Sequence, residues 1–181
     1  MFATLVAAAA LAGGGAYAGW TFRGTETKSV TVSRTVTRIV GGATAVSDVI
    51  PAAVEATRVA IAQAADAHDA TALTRLIPAK GFTYSYGGAY PGGPGAYWEH
   101  LEMTSSQRPF ETLARIMRLP YSLRQGHYVW PFAYGTPKNE LTQYERGLLG
   151  DLAPSYVGQD YYGWRSGIRP DGTWAFFVSG D

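Results

Sequence analysis

The chain has 181 residues, 46% of them apolar and 16% charged, no cysteine and a formal net charge of +1. This is the composition of one ordinary globular domain with short appendages. It excludes a disulfide framework, a thiolate metal site, a cysteine nucleophile and a lipidated cysteine anchor, and the near-zero charge argues against a nucleic-acid reader carried by bulk electrostatics.

Residues Phe2 to Trp20 carry no charge and end in Ala16-Tyr17-Ala18-Gly19, the small-x-small pattern that a signal peptidase accepts. Cleavage after Ala18 is the first expectation for residues 1–20. An uncleaved membrane anchor is the alternative, since about 20 apolar residues span a bilayer as a helix. In that case Arg23, Lys28, Arg34 and Arg38 on its C-terminal side would hold the domain in the cytoplasm. Residues 21–49 are rich in Thr, Ser and Val. Arg34 and Arg38 fall on the same face as Val30, Val32, Val36 and Val40, so an extended stalk is expected there, with Gly41-Gly42 as a hinge. The expected location is extracytoplasmic, secreted or anchored, with membrane contact only through the N-terminal segment.

Residues 50–181 are expected to form a single α+β domain, a curved antiparallel sheet packed against several helices. From Pro51 onward there are 11 Lys and Arg against 12 Asp and Glu, so the domain itself is close to neutral, and 20 of the 24 aromatic residues lie between Phe82 and Phe177. Pro51 suits a helix start, and Val54, Ile61 and Ala65 follow helical spacing through Ala67. Leu73, Leu76 and Ile77 make a second short helix that Pro78 stops. Phe82 to Tyr86 alternates as a half-buried strand, and Gly87 to Gly95 reads as a loop. Tyr97 to Met103 and Phe110 to Leu119 read as helices. His127 to Tyr134 reads as a strand with Tyr128, Trp130, Phe132 and Tyr134 on one face, placed at an edge or bulge by Pro131. Leu141 to Leu152 returns to helix.

Arg169-Pro170-Asp171-Gly172 has the residues of a type I turn followed by a glycine at positive φ, between two aromatic runs. A regular hairpin from it pairs Ile168 with Trp174, Ser166 with Phe176 and Trp164 with Val178. Gly163, Arg165, Gly167, Ala175 and Phe177 then share the second face, where a guanidinium beside an aromatic ring suits an anionic or planar ligand.

The run Ala64-Ala65-Asp66-Ala67-His68-Asp69-Ala70-Thr71-Ala72-Leu73, with the short helix and strand after it, resembles the opening of nuclear transport factor 2-like (cystatin-like) α+β rolls over residues 52–86. That resemblance implies helices wrapped by a curved antiparallel sheet, used as a small-molecule pocket, an enzyme or a dimer module. The ending from Asp171 to Asp181 is similar to the ends of uncharacterised exported bacterial proteins and implies no activity.

No motif for a cofactor is present. The Gly87 to Gly95 loop lacks the Gly-Lys-Ser/Thr of a phosphate loop. His100 has no second histidine at i+4 for a metal, and no serine sits in a nucleophile elbow. His127 is the one weak candidate for a general base. Arg108, Arg115 and Arg118, with Arg124 beyond, form the one basic cluster of the domain, either an anion contact or a solvated helix face on which Glu111 pairs with Arg115. The aromatic residues exceed what a core of this size needs, and Tyr128, Trp130, Arg165 and Phe177 are the candidate lining of a cleft. The expectation is a non-catalytic binding or interaction domain for a small molecule or envelope component, with no nucleic-acid partner. The alternative is a small hydrolase or isomerase of roll type using His127 with a carboxylate.

Overall fold

The computed structural model describes residues 50–180; the signal or anchor segment expected over residues 1–20 and the stalk over 21–49 lie outside them. Within these bounds the chain is α+β: five α-helices and a four-stranded antiparallel sheet, with a separate two-stranded ribbon. No helix among the described residues is long and apolar enough to cross a membrane.

Helix α1 (Ala52–Asp66) starts after Pro51, and Glu55 in its first turn pairs with Arg58, a charge order that suits the helix dipole. It ends where His68 takes a positive φ of 51°. His68 N–H then donates to the Ala65 carbonyl and Asp69 N–H to the Ala64 carbonyl, which closes the last turn in the Schellman pattern. The Asp69 side chain accepts from Ala72 N–H and so caps α2 (Ala70–Leu76). Two helices are thereby joined by three residues with their end groups satisfied.

Helix α3 (Gly93–Thr104) begins inside the expected loop, because Pro94 fits the first turn and Gly92 supplies a left-handed cap. It lies close to α2: a Cβ at Gly95 would sit 2.7 Å from Thr74 Oγ1 and 3.3 Å from the Ala70 carbonyl. Helix α4 (Pro109–Ile116) buries Phe110, Leu113, Ala114 and Ile116. Helix α5 (Gln143–Leu149) opens with a capping box between Thr142 and Glu145. Its expected second half is instead a 3-10 turn over Gly150–Ser155.

The sheet order is β1 (Ser122–Arg124), β2 (His127–Trp130), β5 (Arg165–Ile168), β6 (Trp174–Val178). The β1–β2 hairpin, absent from the sequence reading, turns on Gln125 and Gly126, with φ of 50° and 76°; two consecutive positive φ values are what a tight two-residue hairpin requires. Strand β2 is shorter than expected because Pro131 offers no ladder donor, so Phe132 and Tyr134 do not continue the face of Trp130. Phe132 instead joins a small second cluster with Leu141, Leu149, Tyr156 and Tyr161, built around the ribbon of β3 (Tyr156–Val157) and β4 (Asp160–Tyr161). The expected strand Phe82 to Tyr86 touches the sheet through a single parallel bridge, Thr83 to Phe176.

The turn Arg169–Gly172 forms as expected: Gly172 N–H donates to the Arg169 carbonyl at 2.9 Å, and Gly172 has φ 87°. Ile168 pairs with Trp174, but the register then shifts by one residue, so that Gly167 opposes Phe176 and Ser166 opposes Phe177. Ala175 is the extra residue. The bulge reverses the expected faces of β6 beyond Ala175, while Ile168, Ser166 and Trp174 keep the face expected of them. Phe177 enters the main core with Trp98, Trp130 and Trp174, and Phe176 swings to the other side, where its ring occupies the space a Cβ at Gly167 would need.

Candidate functional site

Among the described residues, two clefts border aromatic side chains. The first, about 420 Å³, is lined by Tyr84, Tyr86, Tyr97, Gln107 and Trp164, with Ser85 and Ser179 at its rim. Its aromatic wall continues past the opening: Tyr97 packs 5.6 Å from both Tyr84 and Tyr90, and Tyr90 stacks on His100 at 5.4 Å. Tyr84 Oη accepts a hydrogen bond from Tyr90 N–H at 2.7 Å, which ties the glycine-rich loop to the extended segment. Trp164 is backed by Phe177, ring centroids 4.6 Å apart. That contact exists because of the bulge at Ala175.

The second cleft, about 520 Å³, is lined by Leu123, Arg124, Tyr134, Asp160, Tyr161, Tyr162 and Arg165. Arg165 is 6% exposed. It donates to the Gly163 carbonyl at 3.3 Å and to Tyr86 Oη at 3.0 Å. Its guanidinium carbon stands 4.9 Å from the Tyr134 ring centre and 6.0 Å from that of Tyr86. Tyr86, which lines the first cleft, thus also touches the cation of the second. Burial pushes the Tyr161 phenol up to about 12, against smaller lowering effects that include the charges of Arg165 and Arg115.

Of the residues expected to line a ligand site, Arg165 alone borders a cleft. Phe177 and Trp130 are core side chains, and Tyr128 is half-buried against Tyr121 at 5.3 Å. Arg165 and Phe177 do not share a face, because the extra residue in β6 separates them; the rings beside Arg165 are those of Tyr86 and Tyr134. Nothing in the local sequence pairs residue 86 with residue 165, and that contact arises only from tertiary packing.

The three helix arginines do not converge. Arg118 pairs with Asp66 and fastens α4 to α1, holding the Asp66 carboxyl below its ordinary range. Arg115 pairs with Asp151 and donates to the Leu149 carbonyl at 2.7 Å, so its partner is the 3-10 turn rather than Glu111. Arg108 donates to the Glu102 carbonyl at 3.0 Å. Each one fastens a different neighbour. His127 Nδ1–H donates to the Gln125 carbonyl at 2.9 Å, its ring 5.9 Å from Phe176; no carboxylate lies within ion-pair distance of it among the described residues. No group of three or more His, Asp or Glu suited to a metal ion occurs among the described residues.

No family model, curated protein or solved structure matches the chain.

Proposed function

We propose that the domain is a non-catalytic binding module, exported from the cytoplasm, that takes a polar ligand with a flat face in the first cleft. The carrying observation is the convergence of Tyr84, Tyr86, Tyr97 and Trp164 on one opening with Gln107 beside them. Aromatic faces supply contact area at small entropic cost, and a few polar groups fix orientation. The likeness of residues 52–86 to nuclear transport factor 2-like rolls supports the same reading, since that family builds pockets from helices and an antiparallel sheet. The hydrolase or isomerase alternative needs a carboxylate beside His127, and His127 has a backbone carbonyl there instead.

The test is a ligand-observed NMR screen of water-soluble ring compounds, sugars and planar heterocycles, against the full chain, with Trp164 fluorescence as the second readout. Hits should bind the intact protein and lose at least tenfold in affinity in Tyr97→Leu. If no ring compound binds at millimolar concentration, or if Tyr97→Leu binds them unchanged, the reading is wrong.

A further inference from the structure

Arg165 is the one buried guanidinium in the described residues whose neighbours hold no counter-charge. Burying a cation is costly unless it is paired, and buried charges in proteins are as a rule paired or hydrogen-bonded. A guanidinium has five N–H donors. Two of those on Arg165 are used, by the Gly163 carbonyl and by Tyr86 Oη. Both acceptors are neutral. The rings of Tyr134 and Tyr86 offset part of the cost by facing the cation; no Arg165 nitrogen is among the buried polar atoms left without a partner, so the donors still free open into the cleft that Arg165 lines. Tyr161 cannot supply the charge either, because a phenol is protonated at neutral pH and burial raises this one further. Asp160, exposed at the start of β4, borders the same cleft and forms no ion pair with Arg165 or Arg124.

We infer that the second cleft is an oxyanion site, in which Arg165 and Arg124, the latter also donating to the Gly135 carbonyl, hold the carboxylate or phosphate of a small ligand. The opening between Tyr134, Tyr161 and Tyr162 sets a planar ligand body against aromatic walls. Charge-assisted hydrogen bonds to the free Arg165 donors supply the affinity, and they gain strength from burial. Tyr86 is 55% exposed, so its hydroxyl acts as a replaceable cover on one guanidinium nitrogen. Its defining residues, Arg165 and Arg124, do not line the first opening, and Tyr86 is the side chain that connects the two.

The experiment titrates the full chain separately with benzoate and with inorganic phosphate in low-chloride buffer. It follows the arginine Nε–H resonances by NMR and the affinity by calorimetry. The expected result is saturable binding of at least one anion with a shift of the Arg165 Nε–H signal, a loss of tenfold or more in Arg165→Met, and a smaller loss in Arg165→Lys. Binding of benzoate alone assigns a carboxylate ligand, and binding of phosphate alone a phosphorylated one. Arg124→Gln, at an exposed position, should weaken binding severalfold with the Arg165 signal still shifting at saturation. This variant and the direct Nε–H shift keep the test valid if Arg165→Met fails to fold. Absence of saturable binding of both anions at millimolar concentration, or binding that leaves the Arg165 signal unmoved, overturns the inference. Because benzoate is itself a flat ring, benzoate binding that leaves the Arg165 signal unmoved and is lost in Tyr97→Leu belongs to the first cleft, whereas phosphate carries no ring and tests the second cleft alone.

Discussion

Removing one hydroxyl from the middle of the sheet should cost more than its size suggests. Ser166 and Trp174 are both buried, and Trp174 Nε1–H donates to Ser166 Oγ at 2.9 Å. In Ser166→Ala the indole N–H keeps its place in the core but loses its acceptor. An unsatisfied buried donor costs about 1–3 kcal/mol, while the lost oxygen leaves a void too small to add much. Ser166→Ala should therefore lower stability by about 2 kcal/mol, which is roughly 6–10 °C in Tm for a domain of this size. The core offers no substitute acceptor, since the Trp98 indole N–H beside it is itself without a partner. The assay is urea unfolding of the parent, Ser166→Ala, Trp174→Phe and the double variant. Once Trp174→Phe has removed the donor, the Ser166 hydroxyl is the orphan, and its deletion should be neutral or stabilising. A coupling energy of at least about 1 kcal/mol is expected. An equal loss from Ser166→Ala in both backgrounds, or a single-variant loss under about 0.5 kcal/mol, would refute the reasoning.

Gly172→Ala should destabilise the domain by about 1–3 kcal/mol: the residue has φ 87°, its Cβ would stand 2.8 Å from the Ala53 carbonyl oxygen, and its own carbonyl accepts from Thr57 Oγ1 at 2.7 Å. The midpoint of thermal unfolding measures this, and an unchanged midpoint would mean the turn does not dock on α1 as described. The Tyr161 phenol is raised by burial from 10.0 to about 12; a raised folded value gives stability that is complete below the unfolded value and lost as pH rises through the folded one, so roughly 2 kcal/mol should disappear between pH 10 and 12. Urea midpoints across that range in the parent and in Tyr161→Phe provide the check, with the steeper fall expected in the parent; parallel curves would contradict it.

Local rules account for a definite part of this molecule. The period of Val54, Ile61 and Ala65 marks α1, and Asp69 as a cap and Leu73 as a buried anchor mark α2, because these signals act within one or two turns of chain. Arg169-Pro170-Asp171-Gly172 makes its turn for the same reason: φ preferences and a single short hydrogen bond decide it. The first strand pair after that turn, Ile168 with Trp174, follows directly. One residue further on, local information no longer decides, because a bulge costs little in the ladder and is chosen by what the two faces must pack against. Shifting by Ala175 lets Phe177 fill the space beside Trp98 and Trp164, a gain that no window of sequence contains. The Gln125-Gly126 hairpin was legible only in hindsight, since Gln seldom takes positive φ and the partner strand Ser122–Arg124 is three residues long. Arg165 could be singled out from the sequence as a cation on an aromatic strand. Its neighbours could not, because Tyr86 and Tyr134 lie 79 and 31 residues away in the chain. The side chains around a cation are set by how helices, sheet and ribbon stack, and those long-range contacts are decided by tertiary packing alone.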